Sequence, residues 1–256
     1  MKYDLVVLAG GELDPATWGA DCPPYKALLS LGGFTMLDIA LRAFRGVPGI
    51  NRRLVVGEGA EVGRIARSYG ASTIPCGYGI VGNLRNATIE LKDSVAPGLI
   101  VATSDIPLFT SESAFALVKA FDALALEYDF VYPVVPVHIC RKLVPGTKRT
   151  SIKTKDGRFT GGNVFLLNRH ALVRNFPFLD ELVKHRKSPF KLASMIGAGT
   201  IFRVAAGIGS LSDHTKSFSR KIYGKVKAYV CEHAEIAVDV DSPEEYARIS
   251  GMLGRP

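Results

Sequence analysis

The chain has 256 residues, 47% of them apolar, so it can bury a sizeable core, and α/β folds of this length often form one domain. No apolar run is long enough to span a bilayer, and the run at residues 5–9 is too short for a signal peptide core, so we expect a soluble cytoplasmic protein. The cysteines lie far apart without a C-x-x-C pair, which argues against a zinc site or a disulfide framework and predicts reduced thiols.

Positive charge is concentrated in one part of the chain. The net charge is +8, but residues 141–227 hold 19 Lys or Arg against 4 Asp or Glu, about +15, which leaves about −7 for the remainder. Such a region attracts phosphates on a small molecule, a nucleic acid or an anionic membrane surface, and charge alone does not choose among them. A solvated basic face is the simplest interpretation.

The first half alternates short β-branched runs with helical patterns, which is typical of a mostly parallel sheet with crossover helices. The predicted strands are 5–9, 54–57, 73–75, 99–103 and 130–137. The predicted helices are 36–44, 61–69, 81–93 and 111–127, the last with Ser111 as its N-cap. Because the strands are continuously apolar, we expect a sheet that is covered on both faces.

After residue 136 the alternation stops. A basic section at 141–158 is predicted to be rich in loops, followed by strands at 163–167, 225–231 and 235–240 and a helix that begins at Pro243 after the N-cap Ser242. No Gly, Ser or Pro linker marks a second domain. We therefore predict one α/β domain over 1–256, with a basic elaboration on the sheet at about 141–227.

The first strand ends in Leu8, Ala9, Gly10 and Gly11, where backbone N–H groups can approach a ligand closely. Two glycines after a strand are equally compatible with a simple tight turn, and neither G-x-G-x-x-G nor P-loop spacing is present. Lys26 follows at the same predicted sheet edge, where a lysine can pair with triphosphate oxygens.

Carboxylates follow two later segments. Asp105 comes directly after the strand 99–103, where open α/β sheets bind ligands, and a hard oxygen ligand suits Mg²⁺. A capping or turn role before Pro107 is the simpler alternative. Asp239 lies at the end of the last predicted strand and Asp241 directly after it, nearer the turn; we expect their side chains to point to opposite faces, so that only Asp241 shares a metal with Asp105.

The order of these motifs resembles the nucleotidyltransferases related to molybdenum-cofactor guanylyltransferase, a group with relatives that act on sugar and polyol phosphates. The resemblance covers nearly the whole chain, and it rests on LAGG at 8–11, PYKALLSLGG at 24–33, GNLRNA at 82–87, SDIPLFT at 104–110, TGGNVFLL at 160–167 and DVDSPEEY at 239–246. It is specific only when these motifs are taken jointly.

The resemblance implies a Rossmann-like three-layer sandwich of the sugar-nucleotide-transferase type. The glycine loop and Asn83 would then lie by the nucleotide, Lys26 on the triphosphate, Mg²⁺ or Mn²⁺ at Asp105 and Asp241, and the acceptor at Gly162 and Asn163. Loops of this family usually carry an arginine between the glycines and the lysine, whereas residues 12–25 here contain three acids and no basic residue.

We therefore predict transfer of a nucleotidyl group from a triphosphate, with CTP or GTP favoured, to a small phosphorylated acceptor such as a sugar or polyol phosphate. Lys148 and Arg149 are predicted to contact that acceptor because they precede the TGGN motif. A nucleotide-sugar-dependent glycosyltransferase, a non-catalytic binder of nucleic acid or an anionic membrane surface, and a relative that binds nucleotide without transfer remain alternatives. Nucleic acid is not expected because no stacking aromatics interleave the basic residues. The basic region leaves peripheral membrane contact open, and the oligomeric state is not predicted.

Overall fold

The strands form one large mixed sheet and one small hairpin. The computed structural model describes residues 1–147, 149–185, 191, 194–195 and 197–253. The strands are β1 (Tyr3–Leu8), β2 (Ser30–Leu31), β3 (Phe34–Thr35), β4 (Ile50–Val56), β5 (Ser72–Ile74), β6 (Gly98–Thr103), β7 (Phe130–Pro136), β8 (Ile152–Thr154), β9 (Gly157–Gly161), β10 (Val164–Asn168) and β11 (Val226–Val230). Nine of them pair in the order β5-β4-β1-β6-β10-β7-β9-β8, with β11 joined to β7, while β2 and β3 pair separately.

Helices connect these strands. The α-helices of the described residues are α1 (Pro15–Trp18), α2 (Met36–Ala43), α3 (Ala60–Ser68), α4 (Gly79–Glu90), α5 (Ser111–Leu124), α6 (Val137–Leu143), α7 (Arg169–Lys184), α8 (Ala198–Ala205), α9 (Leu211–Ser219) and α10 (Pro243–Leu253). Two 3₁₀ helices lie at Lys26–Leu28 and Ala234–Ala237. Within the described residues, no helix combines the length and the apolar character needed to cross a membrane.

The sheet is mostly parallel and covered on both faces. Strand β1 pairs in parallel with β4 and β6, and β10 inserts antiparallel between β6 and β7. One face packs against α2, α3 and α5, and the other against α4 and α7. The predicted single-domain α/β sandwich with a mostly parallel sheet is confirmed, and the βαβ order places the carboxyl ends of β1, β4 and β6 along one edge.

The later part of the chain departs from the predictions. The predicted strand at 235–240 is wrong: the 3₁₀ helix Ala234–Ala237 occupies it, and its apolar residues Ile236, Val238 and Val240 are fully buried without a strand ladder. Instead, Val240 N donates to Asp105 O at 3.1 Å and Ile236 O accepts from Asn163 N at 2.8 Å. The segment 141–158 is more regular than predicted, since it contains the end of α6 and strand β8, which pairs with β9.

Helix capping decides the exact starts of two predicted helices. Thr110, not Ser111, is the N-cap of α5, because its hydroxyl accepts from Ser113 N while the Ser113 hydroxyl accepts from Thr110 N. The predicted cap of the last helix is confirmed: Ser242 Oγ accepts from Glu245 N at 3.2 Å, directly before Pro243.

Candidate active site

Three segments meet at the carboxyl edge of the sheet. Because β1 and β6 are parallel neighbours with Leu8 opposite Thr103, the turns that follow them lie side by side. Ser104 N donates to Leu8 O at 3.0 Å, which locks the two turns together, and Val240 N donates to Asp105 O at 3.1 Å. The predicted glycine turn, the first carboxylate and the second carboxylate segment are thus neighbours in space.

Lys26 lies at the centre of this edge. Its backbone N donates to Gly11 O at 2.7 Å, so the 3₁₀ turn is anchored on the glycine loop. Its Nζ is 3.1 Å from Asp105 Oδ2 and 2.7 Å from Asp241 Oδ1. Burial disfavours the ammonium, but the charges and hydrogen bonds of the two aspartates outweigh burial and raise the pKa of Lys26. The structure therefore brings together Lys26, Asp105 and Asp241, which the sequence singled out separately.

Asp105 is oriented by a neighbour that the sequence analysis did not assign a role. Thr103 Oγ1 donates to Asp105 Oδ1 at 2.5 Å, while Asp105 Oδ2 faces Lys26. The sequence contained a signal for this contact: Thr103 precedes Asp105 by two residues at a strand end, and residues i and i+2 of a strand lie on one face. The hydroxyl fixes one carboxylate oxygen and leaves the other for cations.

Asp239 and Asp241 do not diverge, contrary to our expectation. That expectation was wrong even for a strand, because residues i and i+2 of a strand lie on one face. The segment is in any case not a strand, and the two carboxyl groups are close enough to affect each other's ionisation. Burial raises the pKa of Asp239 to about 6; Arg149 opposes the rise, and the charges of Asp241 and Asp105 add to it. Burial also disfavours the charge of Asp241, yet the hydrogen bond and charge of Lys26 hold the pKa of Asp241 below its ordinary value. Three carboxylates therefore share this edge.

Arg149 forms a buried ion pair with Asp239. Its guanidinium contacts Asp239 Oδ1 and donates to Asp239 O at 3.1 Å, and its side chain is only 6% exposed. Its Nε is buried without a hydrogen-bond partner among the described residues. The predicted acceptor contact Lys148 lies outside the described residues, so the structure locates only one member of that pair.

The glycine turn is closely packed. Ala9 N donates to Val56 O at 2.8 Å, the Ala9 side chain is buried, and that of Leu8 is half-buried, so any approach to a ligand there is through backbone. A Cβ on Gly10 would overlap the Sγ of Cys76, the residue that follows Pro75 after β5. Gly11 has open space by comparison, since a Cβ added there would lie 3.8 Å from Lys26 Cβ.

The acidic loop at 12–25 is held by its own residues. Leu13 N donates to Pro24 O at 3.1 Å, and the backbones of Glu12 and Tyr25 form an isolated antiparallel β-bridge. These contacts join the two ends of the loop. Asp14 caps α1 by accepting from Ala16 N at 3.1 Å and from the Thr17 hydroxyl at 2.9 Å. At least one of its three acids therefore serves the local fold.

Asn83 lies on α4, beside the loop after β5. Its Oδ1 accepts from Gly77 N at 2.8 Å, and a Cβ on Gly77 would overlap the backbone of Gly82. Gly162 and Asn163 lie between β9 and β10, where Gly162 N donates to Pro133 O at 2.9 Å and Asn163 O accepts from Thr103 N at 3.0 Å. Asn163 is thus joined directly to the end of β6, close to Asp105.

The carboxylates of Asp105 and Asp241 fit a divalent cation that takes most of its ligands from water and substrate phosphates. No group of three or more His, Cys, Asp or Glu with metal-holding geometry occurs within the described parts of the chain. Asp105 and Asp241 nevertheless converge on one cation, the Lys26 ammonium, and offer hard carboxylate oxygens. Mg²⁺ is commonly held by one or two carboxylates together with water and substrate phosphates.

Comparison with known proteins defines the class of this site. The family model described as "MobA-like NTP transferase domain" matches residues 5–172, so the chain belongs to this family and is a nucleotidyltransferase. No curated protein matches the chain.

Solved structures are similar over nearly the full length. A hypothetical transferase from Thermus thermophilus is 30% identical, with a TM-score of 0.82 over 96% of this chain and 99% of that one. A CMP:2-keto-3-deoxy-manno-octonic acid synthetase complexed with CTP is 13% identical, with a TM-score of 0.62 over 99% of each chain. A 2-C-methyl-D-erythritol 4-phosphate cytidylyltransferase, also from Thermus thermophilus, is 13% identical, with a TM-score of 0.54 over the whole of both chains. The last two show a shared fold.

Proposed function

We propose that the protein transfers a nucleotidyl group from a nucleoside triphosphate to a small phosphorylated acceptor and releases pyrophosphate. The observation that carries this proposal is the Lys26 ammonium held between Asp105 and Asp241 beside the glycine turn. A cation site beside the backbone of Gly11, where there is open space, suits a triphosphate. Two structural relatives are a synthetase complexed with CTP and a cytidylyltransferase, which makes CTP the first triphosphate to test, with GTP next. We place the reaction in the cytoplasm.

In this reaction an acceptor phosphate oxygen bonds to the α-phosphorus, the bond from that phosphorus to the bridging oxygen breaks, and pyrophosphate leaves with the electron pair. The protein needs no nucleophile of its own; it positions groups and offsets charge. Lys26 pairs with the triphosphate and neutralises charge on the leaving pyrophosphate, while backbone N–H groups at Gly10 and Gly11 approach the nucleotide.

Asp105 and Asp241 would hold Mg²⁺ or Mn²⁺ in this proposal, and the hydrogen bond from Thr103 fixes the orientation of the Asp105 carboxylate. The bound cation would supply charge stabilisation on the phosphoryl oxygens. Gly162 and Asn163 face the acceptor, because Asn163 is hydrogen-bonded to the end of β6 and so lies next to Asp105. Arg149 positions the Asp239–Asp241 segment through its buried ion pair.

A pyrophosphate-release assay tests the proposal, using Mg²⁺, each of the four triphosphates and a panel of sugar and polyol phosphates. We expect release that requires one triphosphate and one acceptor, and that falls about 10²–10³-fold in Asp105→Asn. The matched control is Asp180→Asn, which removes an exposed carboxylate paired with Arg85. Transfer of a sugar from a nucleotide sugar without pyrophosphate release would instead establish the glycosyltransferase alternative.

A further inference from the structure

A large apolar pocket lies on the sheet face away from α2, α3 and α5. Its volume is about 540 Å³, within the range of small-molecule sites. Its wall includes Ile152 on β8, Phe165 on β10, and Val226 and Ala228 on β11. Helices α8 and α9 also contribute to the wall, through Val204 and Phe218, but they do not fill the space. The proposed nucleotidyl transfer makes no use of this volume.

The pocket is linked to the carboxylate edge by a short series of contacts. Asn163 is hydrogen-bonded to Thr103 at the end of β6, and Gly162 N donates to Pro133 O at 2.9 Å. A Cβ on Gly161 would overlap the hydroxyl of Tyr132, so that hydroxyl lies directly against the glycine. Tyr132 itself lines the pocket, stacked on Phe165 with ring centroids 5.5 Å apart.

The charges near Tyr132 support this connection between the pocket and the carboxylate edge. Burial and the negative charge of Asp239 both raise the pKa of Tyr132, which places the tyrosine within the field of the carboxylate edge. The chain runs from Arg149, paired with Asp239, to Ile152 in the pocket wall within three residues, at the start of the β8–β9 hairpin. Lys153 and Lys155 are exposed on the same hairpin, so cationic side chains flank an apolar wall.

One polar atom of the pocket is unsatisfied. His214 lines the pocket, and its Nε2 is buried without a hydrogen-bond partner among the described residues. A buried ring nitrogen without a partner is destabilising, and a ligand that carries one oxygen atom along an apolar chain would satisfy it.

We propose that this pocket binds the hydrocarbon chain of the acceptor, which is a phosphorylated polyol bearing one acyl or alkyl chain. The inference rests on the proposed function and specifies its acceptor. The hydrocarbon chain enters past Tyr132, its oxygen reaches His214, and the phosphate remains at Gly162 and Asn163 beside the carboxylate edge. The cations of the β8–β9 hairpin complement the charge of such a head group.

The test compares glycerol phosphate with monoacylglycerol phosphate, both below any micelle concentration, in the pyrophosphate-release assay. We expect the chain-bearing acceptor to have a KM at least about 10-fold lower, because its methylenes leave water. Ala228→Phe fills the pocket and should abolish that advantage, whereas Ala123→Phe, at an exposed position on α5, should preserve it. Equal KM values in the wild type overturn the inference and leave the proposed function standing.

If no acceptor is turned over, a direct binding measurement tests the hydrocarbon-binding pocket separately from the proposed nucleotidyl transfer. The probe is a fluorescent fatty acid, parinaric acid, displaced by monoacylglycerol phosphate in the unmodified protein, in Ala228→Phe and in His214→Phe. Saturable displacement that both variants weaken, with circular dichroism spectra unchanged, supports chain binding even where pyrophosphate release fails. Absence of saturable displacement in the wild type overturns the pocket assignment.

Discussion

The two ends of the large sheet are built differently. In the half that holds β1, β4 and β6, the central strand residues are almost completely buried, with helices packed on both faces. In the wing around β7 and β11, every residue of β11 is at least partly exposed, and Val230 is 46% exposed. The first half holds charged groups in fixed positions, whereas the wing leaves an apolar space beside them.

This difference suggests a division of labour between reaction chemistry and acceptor selection. Catalytic charges have to be held closely in place, which requires a well-packed scaffold. Acceptor recognition tolerates variation, because it depends on the shape of a pocket. Strand β10 joins the two regions by pairing with both β6 and β7, and the buried Arg149–Asp239 ion pair joins the carboxylate edge to the segment that leads into β8.

The largest effect is expected from breaking that pair. Arg149→Ala leaves the mostly buried Asp239 carboxylate without its counter-charge, and we expect a loss of about 3–5 kcal/mol in the free energy of unfolding, measured by urea denaturation. Adding Asp239→Asn should restore part of it. In the residual activity, an unchanged acceptor KM with a lowered kcat identifies Arg149 as a positioning residue.

An increased acceptor KM with stability unchanged would contradict this role. It would support the contact between Arg149 and the acceptor that the sequence predicts. Lys142→Ala, in the last turn of α6 and exposed, is the matched control for loss of a positive charge from the same basic region.

The second prediction tests whether the packed half carries the chemistry. Lys26→Met removes the ammonium between Asp105 and Asp241, and we expect kcat/KM to fall about 10²-fold, because the leaving pyrophosphate loses its counter-charge. Mg²⁺ should then raise the melting temperature more than in the wild type, because the two carboxylates no longer hold a competing cation. Lys119→Met, at an exposed position on α5, should alter neither quantity. Full activity in Lys26→Met would rule out this role.

The accuracy of the predictions from the sequence differs between two parts of the chain. In the packed half, continuous apolar strands and periodic helices are local signals, so β1, β6, α2, α3 and α4 were predicted to within three residues of their observed bounds. Strand β4 begins four residues before the predicted start, because residues 51–53 near its beginning are polar. Later in the chain, the alternating apolar residues of 235–240 have the pattern of a strand, and only the full fold shows that they are buried by other elements without strand pairing.

The candidate site shows the same limit. Lys26, Asp105 and Asp241 were each singled out from position and residue type, and the parallel sheet brings them together. The Arg149–Asp239 pair joins residues 90 positions apart, and the pocket forms between elements that are distant in sequence, so no local pattern reports either one.

A third prediction concerns the packing of the glycine turn. Gly10→Ala should lower the free energy of unfolding by about 1–3 kcal/mol, because the new methyl overlaps Cys76 Sγ. Cys76→Ala in the same chain removes the sulfur, and the remaining Cβ lies 3.4 Å from the new methyl, so we expect most of the stability to return. Thermal unfolding of the two single variants and the double variant measures this coupling.

The activity of the variant that carries both Gly10→Ala and Cys76→Ala then shows whether Gly10 serves nucleotide binding or only the fold. If stability returns without activity, Gly10 is required because the nucleotide approaches the backbone there. Recovery of both would reduce it to a tight turn, as the sequence alone allowed. Gly11→Ala serves as the packing control, since a methyl there meets ordinary van der Waals contact.

The smallest effect separates two roles of Asn83. Its Oδ1 accepts from Gly77 N at 2.8 Å, so Asn83→Ala should cost about 1 kcal/mol in the free energy of unfolding, as expected for one lost hydrogen bond. Asn83→Asp keeps an acceptor at that position and should preserve stability, measured by urea denaturation. If Asn83 lies by the nucleotide, the added negative charge should raise the KM for the triphosphate while leaving the acceptor KM unchanged. Equal kinetics in Asn83→Asp and the wild type would confine Asn83 to holding the loop after β5, and the triphosphate would then depend on Lys26 and the glycine turn alone.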